Sequence, residues 1–209
     1  MNKINAGLKQ YIEQSILPLS NNNDEGHGLE HINYVIARSM GFARQLTEIN
    51  YDMVYTIASF HDIAHFIDKD NHAQIAAEMV LEDQTLKQFF NHEQLIIIAE
   101  AIIDHRASLE YEPRSIYGKI ISSADRDTNI DFVLMRVHSY NMEHNKDFCL
   151  DLMIDDARRE LLERFSDNGY AREKMYFEDV QYDQFVRDIT RLSFDREAFV
   201  QKYLEVNQL

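Results

Sequence analysis

Four residues in this chain have the types and spacing to hold a metal ion. His31 stands early in an apolar-periodic segment, EHINYVIARSM. His61 and Asp62 are adjacent in ASFHDIAHF, and Asp125 follows an apolar run in ISSADRD. Imidazole nitrogens with carboxylate oxygens suit a borderline divalent cation. Two His and two Asp supply four ligands and leave open positions on an octahedral ion such as Mn²⁺, Fe²⁺, Co²⁺ or Ni²⁺. Water or a phosphate oxygen takes such positions in hydrolytic sites. Adjacent helical residues point about 100° apart, yet His61 and Asp62 can still converge on one ion in a groove. The His–Asp dipeptide alone is a weak signal, and the weight comes from the whole series. The competing reading makes these four residues helix caps and surface polar groups.

Other side chains flank this series. His65 lies one turn after His61, as a half-buried polar residue or as a proton donor or phosphate ligand, since histidine titrates near neutral pH. His72 opens NHAQIAAEMV as an ordinary first-turn residue or a site residue. His105 closes AIIDHR, where a helix C-terminus by itself favours a cation. His27, His92, His138 and His144 read as surface residues, and His27, just ahead of His31, has the best claim of these on a site. Arg106, Arg114, Lys119 and Arg126 surround the candidate residues. Each reads as a solvated or ion-paired charge, but a phosphate site needs some of them, and Lys119 and Arg126 are the expected substrate contacts. Tyr11, Tyr34 and Tyr117 have faces that could stack on a base, although aromatics at helical spacing usually build core.

These residues need helices to position them. Apolar residues recur at intervals of three and four, and only 2 prolines and 6 glycines interrupt the chain, which predicts an all-α protein. The expected helices cover Ile4–Leu17, ending before Pro18, then Leu29–Ile49 and Met53–His65. Asn71 and Asn91 are expected to N-cap the helices that reach Glu82 and His105. Pro113 is placed in the first turn of a segment reaching Thr128. Further helices are expected at Asp131–His144, Leu150–Phe165, Tyr182–Leu192 and Arg196–Val206. The polar loop SNNNDEGHG precedes the second helix, and the polar stretch Ser166–Asp179 could set a C-terminal helical pair apart.

The chain has 209 residues, enough to bury roughly 70% of the unfolded surface. It is read as one helical domain, with a metal-binding core at 28–131 and a C-terminal extension at 150–209. The net charge of −15 disfavours nucleic-acid polymers and anionic membranes as partners. A single cysteine, Cys149, rules out an intrachain disulfide. The most apolar run, Leu95–Ile103, is broken by Glu100 and falls short of the roughly 20 residues of a membrane span. No signal-peptide pattern opens the sequence, so a cytoplasmic location is expected.

The series H…HD…D, in the contexts quoted above, resembles the HD-domain superfamily of metal-dependent phosphohydrolases over about Glu30 to Asp131. PRSIYGKIISSADRD further resembles a group of small bacterial HD proteins. The resemblance implies a helical bundle with His31, His61, Asp62 and Asp125 as metal ligands. It also implies one or two divalent ions per chain, drawn from Mn, Fe, Co, Ni, Mg or Zn. In bimetal members, histidines at the places of His72 and His105 complete a second site; in one-metal members they would contact phosphate. The expected activity is hydrolysis of a nucleotide or another small phosphorylated metabolite, with Asp62 holding the ion and orienting water and His65 acting in catalysis. The alternatives are a di-iron oxygenase of the same fold or a non-catalytic nucleotide-binding module. HDIAHF departs from HDxxED and HDIGK, with Ala64 and His65 at the varied places. The acidic pair of guanosine-tetraphosphate hydrolases is absent, as is the GYP signature of cyclic-di-GMP phosphodiesterases.

Overall fold

A computed structural model describes residues 3–106, 109–145, 147, 149–167, 169–173 and 175–209. The expected all-α class holds, and no strand occurs among the described residues. The chain divides into two compact units between Asp125 and Arg126.

The first unit begins with α1, Ala6–Tyr11, whose N-cap Asn5 accepts from the Gly7 amide at 2.9 Å. The helix expected as far as Leu17 instead widens into a π turn at Ile12–Ile16 and then tightens to 3₁₀ at Leu17–Asn22. Pro18 therefore does not stop the chain. It falls in the first turn of the 3₁₀ segment, where its missing N–H has no partner to lose.

Helix α2 spans Leu29–Ala43 and ends well before Ile49. Its exit tightens through i+3 bonds from Arg44, Gln45 and Leu46. Asn50 then caps α3, Tyr51–Phe60, accepting from the Asp52 amide at 3.0 Å. Only Asp52 of α3 escapes full burial, so this helix is the rigid centre of the unit. It stops before His61. Residues 61–67 form tight turns with Ile63→Phe60, His65→Asp62 and Ile67→Ala64 bonds, so the His–Asp pair sits on a turn and not on a helix.

Helix α4 covers His72–Glu82 and α5 covers His92–Ile103. The two preceding asparagines differ. Asn91 forms a reciprocal capping box with Gln94, whereas Asn71 makes no side-chain cap and donates its amide to Asp68 Oδ2. The Asp68 carboxylate already accepts from the Asp70 and Asn71 amides, which turns the Asn71 side chain away from α4. Helix α6, Ile116–Ala124, is capped by Ser115. Pro113 lies outside it, and the helix stops short of Thr128, with Asp125 as its C-cap. A Cβ on Gly118 would stand 2.9 Å from Pro113 Cβ and 3.2 Å from Asp104 Cβ, so glycine permits the close approach there.

The second unit contains α7 (Ile130–His144), α8 (Leu150–Phe165), α9 (Tyr170–Glu173), α10 (Val180–Phe194) and α11 (Arg196–Asn207). Leu134, Leu161, Phe165, Ile189 and Phe199 centre its core. In the stretch 166–179, Asn168 and Lys174 lie outside the described residues. None of the described helices is long and apolar enough to cross a membrane.

The unequal caps give a stability test. Asn91→Ala should cost about 1 kcal/mol, and Asn71→Ala should stay within about 0.5 kcal/mol, measured as shifts in urea denaturation midpoint at constant slope.

Candidate metal centre

The site residues come from helix ends and tight turns. His31 lies in the first turn of α2 and His72 opens α4. His61 and Asp125 are the C-caps of α3 and α6, and His105 follows Asp104, the C-cap of α5. At such ends a side chain can point along the helix axis, so five segments of the first unit converge on one place.

His31, His61, Asp62 and Asp125 form one group whose ligand atoms all lie within 4.8 Å of one another. His31 Nε2 is 3.3 Å from His61 Nε2, 3.4 Å from Asp62 Oδ2 and 3.1 Å from Asp125 Oδ1. His61 Nε2 is 3.3 Å from Asp62 Oδ2. A second group joins Asp62 to His72 and His105. Here Asp62 Oδ1 is 3.1 Å from His72 Nε2 and 3.4 Å from His105 Nε2, and the two imidazole nitrogens are 3.3 Å apart. The two oxygens of Asp62 thus face two different pairs of histidines.

The backbone orients three of these rings. The Nδ1–H of His61 donates to the Ala58 carbonyl at 2.9 Å. His72 donates to Lys69 at 2.8 Å, and His105 donates to Ile102 at 2.6 Å. A carbonyl only accepts, so each Nδ1 carries the proton and a neutral ring turns its Nε2 lone pair inward. Around Asp62 Oδ1, two lone-pair nitrogens and a carboxylate oxygen then face one another with no donor among them. That set is self-repelling, and a cation at its centre relieves it. Hydrogen bonds to backbone carbonyls of this kind fix the tautomer of metal-binding histidines.

The field agrees. Burial opposes charge on His31, yet the Asp125 and Asp62 carboxylates beside it raise its pKa to about 10. Burial would push Asp62 up, but the imidazoles around it, His61 foremost, hold it well below the usual carboxylate range. Asp125 is held low against its burial by the hydrogen bond with His31. A proton on His31 partly offsets the negative charge of both carboxylates.

A third cluster, Asp24, His27 and His65, lies beside these groups. His27 Nδ1 is 2.6 Å from Asp24 Oδ1, and the His27 ring stacks on His65 at 3.7 Å between centroids. Ring contacts then run on from His27 to His31, His61, His105, His72 and back to His65. Six imidazoles close a circle around Asp62. Asn23 ties the 23–28 segment to the His–Asp turn: its amide nitrogen donates to the Asp62 carbonyl at 2.9 Å, and its Oδ1 accepts from the Phe66 amide at 2.9 Å. Burial, with His27 against it, pushes the His65 pKa down to about 4, so His65 is neutral at pH 7.

His27 read from sequence as a surface residue, yet it is half-buried and belongs to this circle. Its spacing of one helical turn before His31 was the available signal, and Asp24 gave none. His92 is exposed at the start of α5. His138 bonds Tyr203 Oη and His144 stacks on Tyr140, both in the second unit. Lys119 pairs with Glu112, and Arg126 is a buried residue at the start of the second unit. Tyr11 bonds Asp83, and Tyr117 Oη accepts from the Asn50 amide, so both are engaged in the fold. Arg38, over the Tyr34 and Phe42 rings, donates to the Ala124 and Ser123 carbonyls. It thereby fixes the end of α6 that carries Asp125.

Asp104 anchors the opposite side. Its fully buried carboxylate accepts from Arg114 through the backbone amide, Nε and Nη2, and from Tyr111 Oη. Removing the Arg114 side chain leaves that carboxylate its neutral donors, the residue-114 amide and Tyr111, but takes away its countercharge. Arg114→Ala should therefore destabilise the chain by about 3 kcal/mol, measured by urea denaturation. Adding Mn²⁺ or Co²⁺ to metal-stripped protein should raise the thermal midpoint, by the equivalent of about 2.7 kcal/mol at a hundredfold excess over Kd. A chelator should reverse the shift, and Asp62→Ala should abolish it.

Comparison with known proteins agrees with this geometry. No curated protein and no solved structure matches the chain. The family described as HD domain matches residues 28–130, a span that contains His31, His61, Asp62, His72, His105 and Asp125. Residues 28–130 of the chain are an HD domain.

Proposed function

We propose that this protein is a metal-dependent phosphohydrolase that holds two divalent ions and acts on a nucleotide or another small phosphorylated metabolite. The observation that carries the reading is the placement of Asp62, with Oδ2 facing His31 and His61 and Oδ1 facing His72 and His105. A carboxylate shared in this way would serve two divalent ions, which together would clamp a phosphoryl group. Such ions would supply Lewis acidity and a nucleophilic water at neutral pH. His31, His61, Asp62 and Asp125 would hold one, and Asp62, His72 and His105 the other. Four imidazoles against two carboxylates favour Mn, Fe, Co, Ni or Zn over Mg.

The remaining roles belong to the protein's own groups. Asp125 has a side chain 20% exposed, against 4% for Asp62. It is the carboxylate better placed to orient an incoming water by accepting its hydrogen bond. His65, neutral at pH 7, is suited to hydrogen bonding with the substrate more than to giving up a proton. Lys119 is the expected cationic contact for the rest of the substrate, although it must first leave Glu112. With a net charge of −15, substrate anions gain little from long-range attraction, so binding depends on contacts within the site.

The nitrogen-rich donor set also favours a second reading, an iron enzyme that uses dioxygen. Phosphoester hydrolysis in anaerobic buffer separates the two readings. Under the proposal, turnover with a panel of nucleotides and phosphoesters continues without oxygen, stops with chelator, and is lost in His61→Ala and Asp62→Ala. Elemental analysis should give about two ions per wild-type chain and about one in His72→Ala and in His105→Ala. A wild-type ratio that stays at one under saturating metal would remove the second ion from the proposal. Oxygen-dependent turnover with none on phosphoesters would overturn the hydrolase reading.

A further inference from the structure

The two histidines of the second group come from different segments, His72 from the start of α4 and His105 from just beyond the end of α5. Arg106 directly follows His105 and reaches back across this gap. Its Nη2 donates to the Lys69 carbonyl at 2.9 Å and to the Asp70 carbonyl at 2.7 Å. Lys69 O is the same oxygen that receives the His72 Nδ1 proton at 2.8 Å. Arg106 Nη2 also lies 2.9 Å from His72 Nδ1. The guanidinium thus holds both the turn before His72 and one edge of the His72 ring, whose Nε2 lies 3.1 Å from Asp62 Oδ1.

We infer that Arg106 is a positioning residue for the second ion. It braces the turn before His72 against the residue after His105, and so fixes where the His72 ring stands. The inference rests on the two-ion reading of the site. Its physical basis is the fork of the guanidinium, in which one nitrogen reaches two carbonyls in a fixed plane. A lysine ammonium carries the same charge as a freely rotating point and does not reproduce that geometry. The first ion's residues, His31, His61 and Asp125, make none of these contacts, so the effect falls on one ion alone.

The test is a metal titration of stripped full-length protein with Co²⁺, followed by its absorption bands and checked by elemental analysis. Wild type is compared with R106K and R106A, and circular dichroism and thermal melting report folding. Both variants should bind the first equivalent as wild type does and the second about 10–100-fold more weakly, the usual effect of removing an outer-shell partner. R106K should resemble R106A, since the brace and not the charge is what matters. Two equivalents bound with unchanged affinity in the variants would overturn the inference and leave the two-ion reading standing. Equal weakening of both equivalents, or rescue by lysine, would also overturn it. A wild-type chain that binds only one equivalent would overturn the two-ion reading and this inference with it.

Discussion

A buried carboxylate ringed by imidazoles is the constraint on which the first unit is built. Asp62 is almost wholly buried, and an isolated carboxylate in such surroundings costs several kcal/mol. The groups within reach of its side-chain oxygens are ring nitrogens, of which the carbonyls behind His61, His72 and His105 turn lone pairs inward. Positive charge must therefore come from a proton on His31 or from a cation. The His–Asp turn, the histidine circle and the supports behind it are consistent with the second.

The fold delivers these ligands by ending helices where they are needed. A side chain in mid-helix points sideways into neighbouring helices, whereas one at a terminus can look along the axis into a shared space. Helix α3, almost entirely buried, stops at Phe60 so that His61 and Asp62 can lie on a tight turn. Asp104, held by Arg114 and Tyr111, anchors the end of α5 beside His105. Arg38 does the same for the end of α6 beside Asp125. The supports are arginines that donate to carbonyls or to one carboxylate, an arrangement that sets position more than it adds charge to the site.

The acidic balance of the chain takes its meaning from this local arrangement. Of the basic side chains that flank the candidate site in sequence, Lys119 is engaged with Glu112, and Arg114 with Asp104 and Glu100. Arg106 is spent on backbone carbonyls. Under the proposed function, a phosphorylated ligand entering a protein of charge −15 would meet the bound ions as the main source of positive potential. Chemistry and recognition would then depend on the same ions.

The sequence alone determined the helical class, because the three-and-four spacing of apolar residues and the scarcity of proline and glycine admit little else. It also determined the His31, His61–Asp62, Asp125 series, because coordination chemistry needs those residue types whatever the backbone does. Helix ends were less legible. The Asn71 cap failed because Asp68 competes for its side chain, and α3 ended early because tight i+3 turns follow Phe60. Only the tertiary structure decided that Asp62 divides its two oxygens between two histidine pairs, that His27 and Asp24 close the circle, and that Arg106 reaches the turn before His72. Each of these depends on which ends of separate helices meet in space. Local periodicity carries no record of that, because it describes one segment at a time and a site is made where several converge.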